Sequence, residues 1–529
     1  MFRYFLNAFS LFVCLLACTA CDKSKTVSRS PTVVRVSCEN DPQTLDPRRA
    51  RDLLTVTVMH MLYEGLMRND ADGQPAFAMA EAVTLSPDQR VYTFTLRNSA
   101  WSNGDPVTAY DFERTWKSAL DPHFPSPNAY QLYVIRGAKA AKEGSVSIEQ
   151  VGVHALDAHT LRVELEQSTP YFLQLVATHF YYPAHASLVA QGTHGNEAWQ
   201  PVTNGPYQLE YWKRQNEFSA VPNRHYWDAS AIRLDELVLV LLDNSTALQL
   251  FQKGELEWTG SPLSTLPSDA LASLKREGTL QVLPAAGVYL LRVNTARPPF
   301  THAKMRQAFA LALNRQELVE HVLQGGQIPA LGIVPPSFMP TPPLFRDHDV
   351  AQARSLFEEV LHEQQLTVDT LPPVAIAYAS GERAHKIAQV AQQQWKEVLG
   401  VQAQLHSMEA KVYYDRLKQH DYQLGVGSWF ADFRDPIAFL EVFKLRNNGT
   451  NNTEWEDPVY IAQLDASSEL VEEDQREKKL QEAETTLIRE MPLIPLFYSA
   501  YNYVKKPTLK GVYFSELGYL DFKNGYFEE

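Results

Sequence analysis

Apolar and polar residues alternate with a period of two at several points along the chain, and each such stretch precedes an apolar pattern of helical period. TVVRVSCEN (32–40) alternates like a strand, and LLTVTVMHMLYEGL (53–66) has the spacing of a helix. The same succession recurs where VYLLRVN (288–294) precedes HAKMRQAFALALNRQELVEHVLQ (302–324). Strands that alternate with helices along the whole chain predict a mixed α/β fold.

Local signals refine this pattern. In RVYTFTLRNSAWSNGDPVTAYDFERTWKSALDP (90–122), an alternating strand leads through a turn into a helix that we expect Thr108 to cap, with Asp111 completing a capping box. The proline-rich stretch 328–345 has the composition of a surface loop, and we interpret it as a long loop within one domain because a helical pattern follows at once.

The length and composition of the chain limit the possible classes of protein. A chain of 529 residues with 45% hydrophobic content is long enough for two or three domains. The net charge of -14, from 62 acidic and 48 basic residues, is spread along the sequence. We therefore expect no DNA or RNA partner.

The N-terminal segment 1–21, MFRYFLNAFSLFVCLLACTAC, has the anatomy of a secretory signal peptide. Its cysteines resemble a lipobox, in which cleavage leaves an acylated N-terminal cysteine. We favour Cys21, with Cys18 as the alternative, because small residues precede Cys21 and a polar tether follows it. An ordinary signal peptide with incidental cysteines is the other interpretation. Either way the mature chain keeps Cys38, too little for a disulfide framework.

Common catalytic signatures are missing from the sequence. It has no phosphate-binding glycine loop, no dinucleotide fingerprint, no nucleophile elbow and no complete zinc-protease motif. We expect neither a metal nor a cofactor. Carboxylate pairs such as Glu255 with Glu257, or Asp432 with Asp435, have the residue types that a glycosidase needs, although most such pairs are solvated surface acids. A secreted glycosidase or peptidase stays a remote alternative.

Several longer motifs occur in an order that is specific. The chain contains TLDP (44–47), LYEGLMRNDADGQPAFAMAEA (62–82), VTNGPYQLEYW (202–212), VNTARPPF (293–300) and GSWFADFRDP (427–436). Together they resemble the large periplasmic solute-binding proteins of ABC importers, in the group that takes oligopeptides, dipeptides and nickel. SPNAYQLY (126–133) is similar to a segment of the oligopeptide binders, which favours peptides over nickel or haem.

The resemblance implies a two-lobed α/β fold, a type II Venus-flytrap protein with an extra domain inserted in lobe I. Mapped by motif, lobe I comprises 22–63, 182–285 and 500–529, the inserted domain is 64–181, and lobe II is 286–499. The ligand is enclosed when the lobes close. We expect a substrate-binding lipoprotein that is monomeric, lies in the periplasm on a lipid anchor, performs no chemistry and delivers its ligand to the permease and ATPase subunits of the inner membrane.

The resemblance also implies a peptide site around 427–436. A buried peptide ammonium needs a counter-charge, and Asp432 is the expected carboxylate, although a helix cap or turn acid is the plain alternative. Ser428 and Phe430 are expected to bind the peptide through their main chain, as in β-augmentation. The remaining expected residues are Trp429, Tyr498 and Asn128, which line water-filled side-chain pockets, and Leu53, which supplies a backbone contact. For Trp429, core packing is the alternative.

The sequence departs from the family pattern where the peptide carboxylate is bound. Some oligopeptide members carry an arginine on this strand shortly before the tryptophan, whereas Leu424-Gly425-Val426 is neutral here. Their histidine falls near Ala384, one place from His385. Arg383, His385 and Lys386 are the candidate replacements. A murein-derived peptide or a dipeptide is therefore the second candidate ligand.

Overall fold

The structure is a computed structural model, and it describes residues 31–70, 72–192, 200–447 and 449–528. The predicted signal peptide and both candidate lipidation sites, Cys18 and Cys21, lie outside the described residues. Within the described ranges, no helix has the length and apolar character needed to cross a membrane.

The described residues contain twenty-one strands, most of them short. They are β1 Val33–Cys38, β2 Met67–Asn69, β3 Pro75–Phe77, β4 Ala80–Leu85, β5 Val91–Leu96, β6 Val153–Asp157, β7 Thr160–Glu164, β8 Tyr207–Lys213, β9 Glu217–Pro222, β10 Glu236–Leu241, β11 Trp258–Gly260, β12 Gln281–Val293, β13 Ile328–Pro329, β14 Ala375–Ala379, β15 Gln404–Met408, β16 Leu424–Phe430, β17 Leu493–Lys505, β18 Leu509–Lys510, β19 Tyr513–Phe514, β20 Leu520–Asp521 and β21 Tyr526–Phe527.

Helices lie between many of these strands, although in the described ranges no helix separates β2 to β5 or β17 to β21. The α-helices are α1 Leu53–Leu62, α2 Ala109–Leu120, α3 Ala138–Lys142, α4 Phe172–Val176, α5 Ala186–Ala190, α6 Asn244–Gln252, α7 Leu271–Arg276, α8 Ala303–Leu311, α9 Arg315–Glu317, α10 Val350–Glu363, α11 Glu382–Leu399, α12 Ala410–Lys418, α13 Ile437–Leu440, α14 Pro458–Glu469 and α15 Glu473–Glu490. A π-helical turn, Leu318–Leu323, continues α9, and 3₁₀ turns include Ala129–Leu132.

One large sheet extends through most of the molecule, in the order β15-β14-β16-β12-β17-β11-β1-β10-β9-β8. Its two central strands, β12 and β17, are antiparallel and each thirteen residues long. Their register shifts between Pro284 and Val288. From Gly287 to Val293, β12 also pairs with β16. From Tyr503 to Lys505, at the far end of β17, that strand pairs with β11. Two long strands therefore connect the two halves of the sheet.

A separate four-stranded sheet, in the order β4-β5-β7-β6, lies within the segment predicted as the inserted domain. Helix α2 packs on it, and its N-terminus carries the predicted capping box of Thr108 and Asp111. The Asp111 carboxylate accepts the backbone N–H of Thr108 at 2.8 Å. This cap begins helix α2 where the sequence pattern places it.

The apolar pattern over 302–324 predicts one helix, but the structure divides it into α8 and α9. Asn314 interrupts the helix because its side chain accepts the backbone N–H of Glu317 at 3.0 Å and so caps a new helix. The next residue, Arg315, is buried and donates to Asp347 and to the carbonyl oxygen of Pro495. The break therefore places a buried arginine that ties α9 to β17.

Candidate functional site

Strand β16 has one edge that is mostly unpaired. β12 pairs with it along its whole length, from Leu424 to Phe430. On the other side β14 pairs only with Leu424 and Gly425. Among the described residues, no strand covers the second edge of β16 from Gly427 to Phe430, which we call the open edge.

The hydrogen-bond phase of the ladder determines which residues face the open edge. The N–H of Ala431 donates to the carbonyl of Ala286 at 2.9 Å, in the same register as the β12–β16 pairs. Because antiparallel residues alternate between bonded and non-bonded pairs, Gly427 and Trp429 also bond toward β12. Ser428 and Phe430 therefore present their main-chain N–H and C=O groups to the open edge. An extended ligand placed there meets backbone donors and acceptors.

Asp432 follows this strand and is half-buried. Its Oδ2 accepts hydrogen bonds from the Tyr130 hydroxyl at 2.9 Å and from Nε2 of Gln131 at 2.7 Å. The Tyr519 hydroxyl donates to its main-chain carbonyl at 2.8 Å. Burial raises the pKa of the Asp432 carboxyl, and the Tyr130 hydrogen bond and the positive charge of Arg51 offset part of that rise. A ligand cation would lower this pKa and stabilise the carboxylate.

Asp435, three residues later, has a different environment. Both of its carboxylate oxygens accept hydrogen bonds from Arg476, at 2.8 Å each, and the pair is buried. Because Arg476 holds both oxygens, Asp435 is not positioned as the partner of Asp432 in glycosidase chemistry. In the described ranges, no cluster of three or more His, Cys, Asp or Glu side chains is arranged to hold a metal ion.

Trp429 and Tyr498 lie on the strands that flank Val288, which pairs with both of them. Paired residues point to the same face of a sheet, so the two aromatic side chains share a face. The indole N–H of Trp429 donates to the carbonyl of Ala438 at 2.7 Å. Tyr498 is only 8% exposed and lines a cavity of about 120 Å³ beneath the proline-rich loop, together with Glu484.

Asn128 and Leu53 lie close in sequence to residues that stabilise the Asp432 carboxylate. Asn128 immediately precedes the 3₁₀ turn that contains Tyr130 and Gln131, and its side-chain N–H donates to the carbonyl of Ala50 at 2.6 Å. Leu53 begins α1, two residues after Arg51. The Asn128 amide therefore fixes the start of the segment that carries Arg51 and Leu53.

The three candidate carboxylate-binding residues are exposed and lie at the N-terminus of α11. Arg383 donates to the Tyr289 hydroxyl at 3.3 Å, and Tyr289 pairs with Ser428 in the sheet. His385 shares a hydrogen bond with Tyr378 at 2.7 Å, and Lys386 pairs with Glu382 at 2.6 Å. Of the three, Arg383 contacts the strand that neighbours β16.

Sequence reasoning missed Tyr130, Gln131 and Tyr519. Tyr130 and Gln131 lie within SPNAYQLY, where only Asn128 was singled out. Tyr130 is 302 residues from Asp432 and Tyr519 is 87 residues from it, so no local pattern connects them. Only the folded chain brings these hydroxyl and amide donors to one carboxylate.

Comparison with known proteins agrees with this architecture. Residues 74–451 match the family described as bacterial extracellular solute-binding proteins, family 5, middle region, and the chain belongs to this family. The chain is 38% identical over 519 residues to the oligopeptide-binding protein OppA of Bacillus subtilis (strain 168), covering 96% of this chain and 94% of the relative.

Solved structures give the same result. The Escherichia coli murein tripeptide binding protein MppA superposes with a TM-score of 0.79 at 26% identity, over 94% of this chain and 99% of that one. Haemophilus influenzae OppA in complex with RPPGFSPFR has a TM-score of 0.78 at 25% identity, over 94% and 99% of the two chains. The two-lobed α/β fold expected from the resemblance is confirmed.

Proposed function

We propose that this protein is the substrate-binding component of an ABC importer and that it binds extended oligopeptides between its two lobes. The observation that carries the proposal is the open edge of β16, with Asp432 at its end. The similarity to the OppA proteins supports it, because one of them is 38% identical along nearly the whole chain and another was solved with a bound peptide.

Asp432 would bind the peptide ammonium. Its carboxylate already has neutral donors in Tyr130 and Gln131, but no described side chain forms an ion pair with it. An ammonium at this position would supply the missing charge in a half-buried environment, where a charge pair is stronger than at the surface.

The open edge would bind the peptide backbone through Ser428 and Phe430, as in β-augmentation. This mode tolerates different peptide sequences because it uses groups that every peptide has. Trp429 and Tyr498 would contact ligand side chains, and Leu53 would supply a backbone contact from lobe I. Asn128 would act by holding Ala50 and the adjoining segment in place.

Binding of the peptide carboxylate falls within the same proposal. Arg383 is favoured over His385 and Lys386, since it reaches Tyr289 beside β16, whereas His385 and Lys386 are engaged with Tyr378 and Glu382. A guanidinium is also the donor best matched in shape to a carboxylate.

The lobes would divide as the sequence suggested, with 22–63, 182–285 and 500–529 in lobe I, 64–181 as its inserted domain and 286–499 in lobe II. The long strands β12 and β17 would be the connections, and closure around one peptide would precede delivery to the permease and ATPase subunits. No chemical step is involved. The protein would act as a monomer outside the cytoplasmic membrane, anchored by lipid on Cys21 or, alternatively, Cys18.

Calorimetric titration with peptides tests the proposal. The purified protein is titrated with di-, tri- and pentapeptides and with a murein tripeptide, and the peptides are then recovered and weighed by mass spectrometry. We expect one peptide bound per chain and every peptide recovered intact. Preference for the murein tripeptide would favour the second candidate ligand. Cleaved peptide would indicate a hydrolase, and no binding of any peptide would overturn the proposal.

A further inference from the structure

Arg292 is a buried cation without an anionic partner in the described part of the chain. Its side chain is 8% exposed, and its one hydrogen bond there, from Nη2, is to the carbonyl oxygen of Ser428 at 3.2 Å. Nε is buried and has no hydrogen-bond partner among the residues that the structure describes. A neutral carbonyl does not compensate a buried positive charge, which usually requires a carboxylate.

The groups around Arg292 do not supply that charge. Tyr413 and Tyr422 lie near Arg292, whose positive charge lowers the pKa of their phenols. Burial raises the pKa of both phenols by more, so they are neutral at physiological pH. No described carboxylate forms an ion pair with the guanidinium. The charge is therefore available to an anion that the described residues do not provide.

The guanidinium of Arg292 lies next to the open edge of β16. Arg292 belongs to β12, but its side chain passes over Gly427, where a Cβ atom would collide with Nη1. It bonds the carbonyl of Ser428, which faces the open edge rather than β12. Tyr413 bonds the next outward carbonyl, that of Val426, at 2.6 Å. The open edge thus ends at Arg292, and Asp432 lies at its other end.

The spacing of these two charges indicates which ligand group would reach Arg292. Ser428 lies on β16 and Asp432 lies two residues past the end of that strand, so at roughly 3.3 Å per residue the two are at most about 13 Å apart. A peptide whose ammonium is at Asp432 covers most of this distance with about three residues. A carboxylate at the third residue would therefore lie beside the guanidinium.

We propose that Arg292, rather than Arg383, takes a ligand carboxylate about three residues from the amine, and that this anion-binding subsite accepts either the C-terminus of a tripeptide or an acidic side chain in a longer peptide. This rests on the proposed peptide-binding function. Arg292 lies on the neighbouring strand β12, beside the part of β16 that has only the neutral residues Leu424-Gly425-Val426. A guanidinium donates two parallel hydrogen bonds to a carboxylate, which a lysine cannot do.

Two matched peptide pairs test the proposal and distinguish the two sources of the carboxylate. The first pair is trialanine and trialanine amide. The second pair is Ala-Ala-Glu-Ala-Ala and Ala-Ala-Gln-Ala-Ala. Dissociation constants are measured for the wild-type protein, for Arg292→Gln and for Arg297→Gln, an exposed arginine paired with Asp421 that serves as the control.

We expect the wild-type protein and Arg297→Gln to bind the carboxylate member of at least one pair about tenfold or more tightly. Arg292→Gln should reduce that ratio to below about twofold while it binds the amide and glutamine peptides as the wild type does. The pair that shows the ratio identifies the source. Equal affinity within both wild-type pairs, or a ratio that survives in Arg292→Gln, would overturn the inference.

The remaining outcomes are also informative. If Arg292→Gln does not fold, Arg292→Lys is measured instead, because lysine keeps the charge but loses the paired donors of arginine. An undiminished affinity ratio in Arg292→Lys contradicts the proposal. If the wild-type protein binds none of the four peptides, the proposed function itself fails, and the inference fails with it. Binding of all four peptides with no ratio rejects the subsite alone.

Discussion

The carboxylate of Asp432 accepts a hydrogen bond of 2.9 Å from the hydroxyl of Tyr130, which is 302 residues earlier in the chain. In the proposed division, Tyr130 belongs to the inserted domain and Asp432 to lobe II. The contact therefore joins two parts of the protein at the expected position of the ligand amine, and changes at either residue should affect binding and its pH dependence.

The two acids of the Asp432–Asp435 turn should separate binding from stability. Asp432→Ala should abolish peptide binding and change the free energy of unfolding by less than about 1 kcal/mol, because it removes a carboxylate that forms no ion pair with the described residues. Asp435→Ala should lower the free energy of unfolding by about 3–5 kcal/mol, because it leaves Arg476 buried and unpaired. Denaturant unfolding and calorimetric titration measure both. A large loss of stability in Asp432→Ala would contradict the assignment.

Peptide affinity should have a maximum between two titrations. Binding of an ammonium requires the ionised form of Asp432, so affinity should fall on acidification. Because burial raises the pKa of Asp432, this fall should begin at a higher pH than for an ordinary aspartate, whose pKa is about 3.9. It should fall again above roughly pH 8, where a peptide amine loses its proton. Titrations from acid to mildly alkaline pH measure the profile.

Tyr130→Phe provides the check on that profile. The Tyr130 hydrogen bond lowers the pKa of Asp432, so its removal should move the acidic limb to higher pH and leave the alkaline limb in place. An acidic limb that does not move would mean that another group controls it.

Gly427→Ala should act through Arg292. The added methyl group would collide with Nη1 of Arg292, and the guanidinium can move because it is the end of a flexible side chain. We expect the preference for a carboxylate at the third peptide residue to fall several-fold, although the arginine is still present. The same peptide pairs measure it. An unchanged preference would show that the path of Arg292 over Gly427 does not matter for binding.

The ion pair between Arg434 and Glu516, at 3.0 Å and half-buried, joins the proposed lobe II to the C-terminal part of lobe I. If it is formed on closure, Arg434→Gln should weaken peptide binding by about twofold to fivefold and speed dissociation. The exchanged pair Arg434→Glu with Glu516→Arg should restore part of the affinity. Equal dissociation rates in all three proteins would show that the pair does not stabilise the closed form.

The sequence allowed the fold class, the family and several elements such as β1, α1 and α2 to be predicted, because periodicity and motif order are local properties. The interruption of the helix at Asn314 was not predicted, since a side-chain cap within an apolar pattern leaves the periodicity intact. The surroundings of Asp432 and the position of Arg292 depend on strand pairing and on contacts between distant segments. Arg292 and Ser428, for example, are 136 residues apart.

The most direct test of the account measures one tripeptide, free and N-acetylated, against the wild-type protein and Asp432→Asn by calorimetric titration. Asp421→Asn, which changes an exposed acid, is the control. We predict that acetylation weakens binding to the wild type and to Asp421→Asn by at least about a hundredfold, and that Asp432→Asn binds both forms with the same low affinity. If Asp432→Asn still binds the free peptide much more tightly than the acetylated one, Asp432 does not bind the ligand amine.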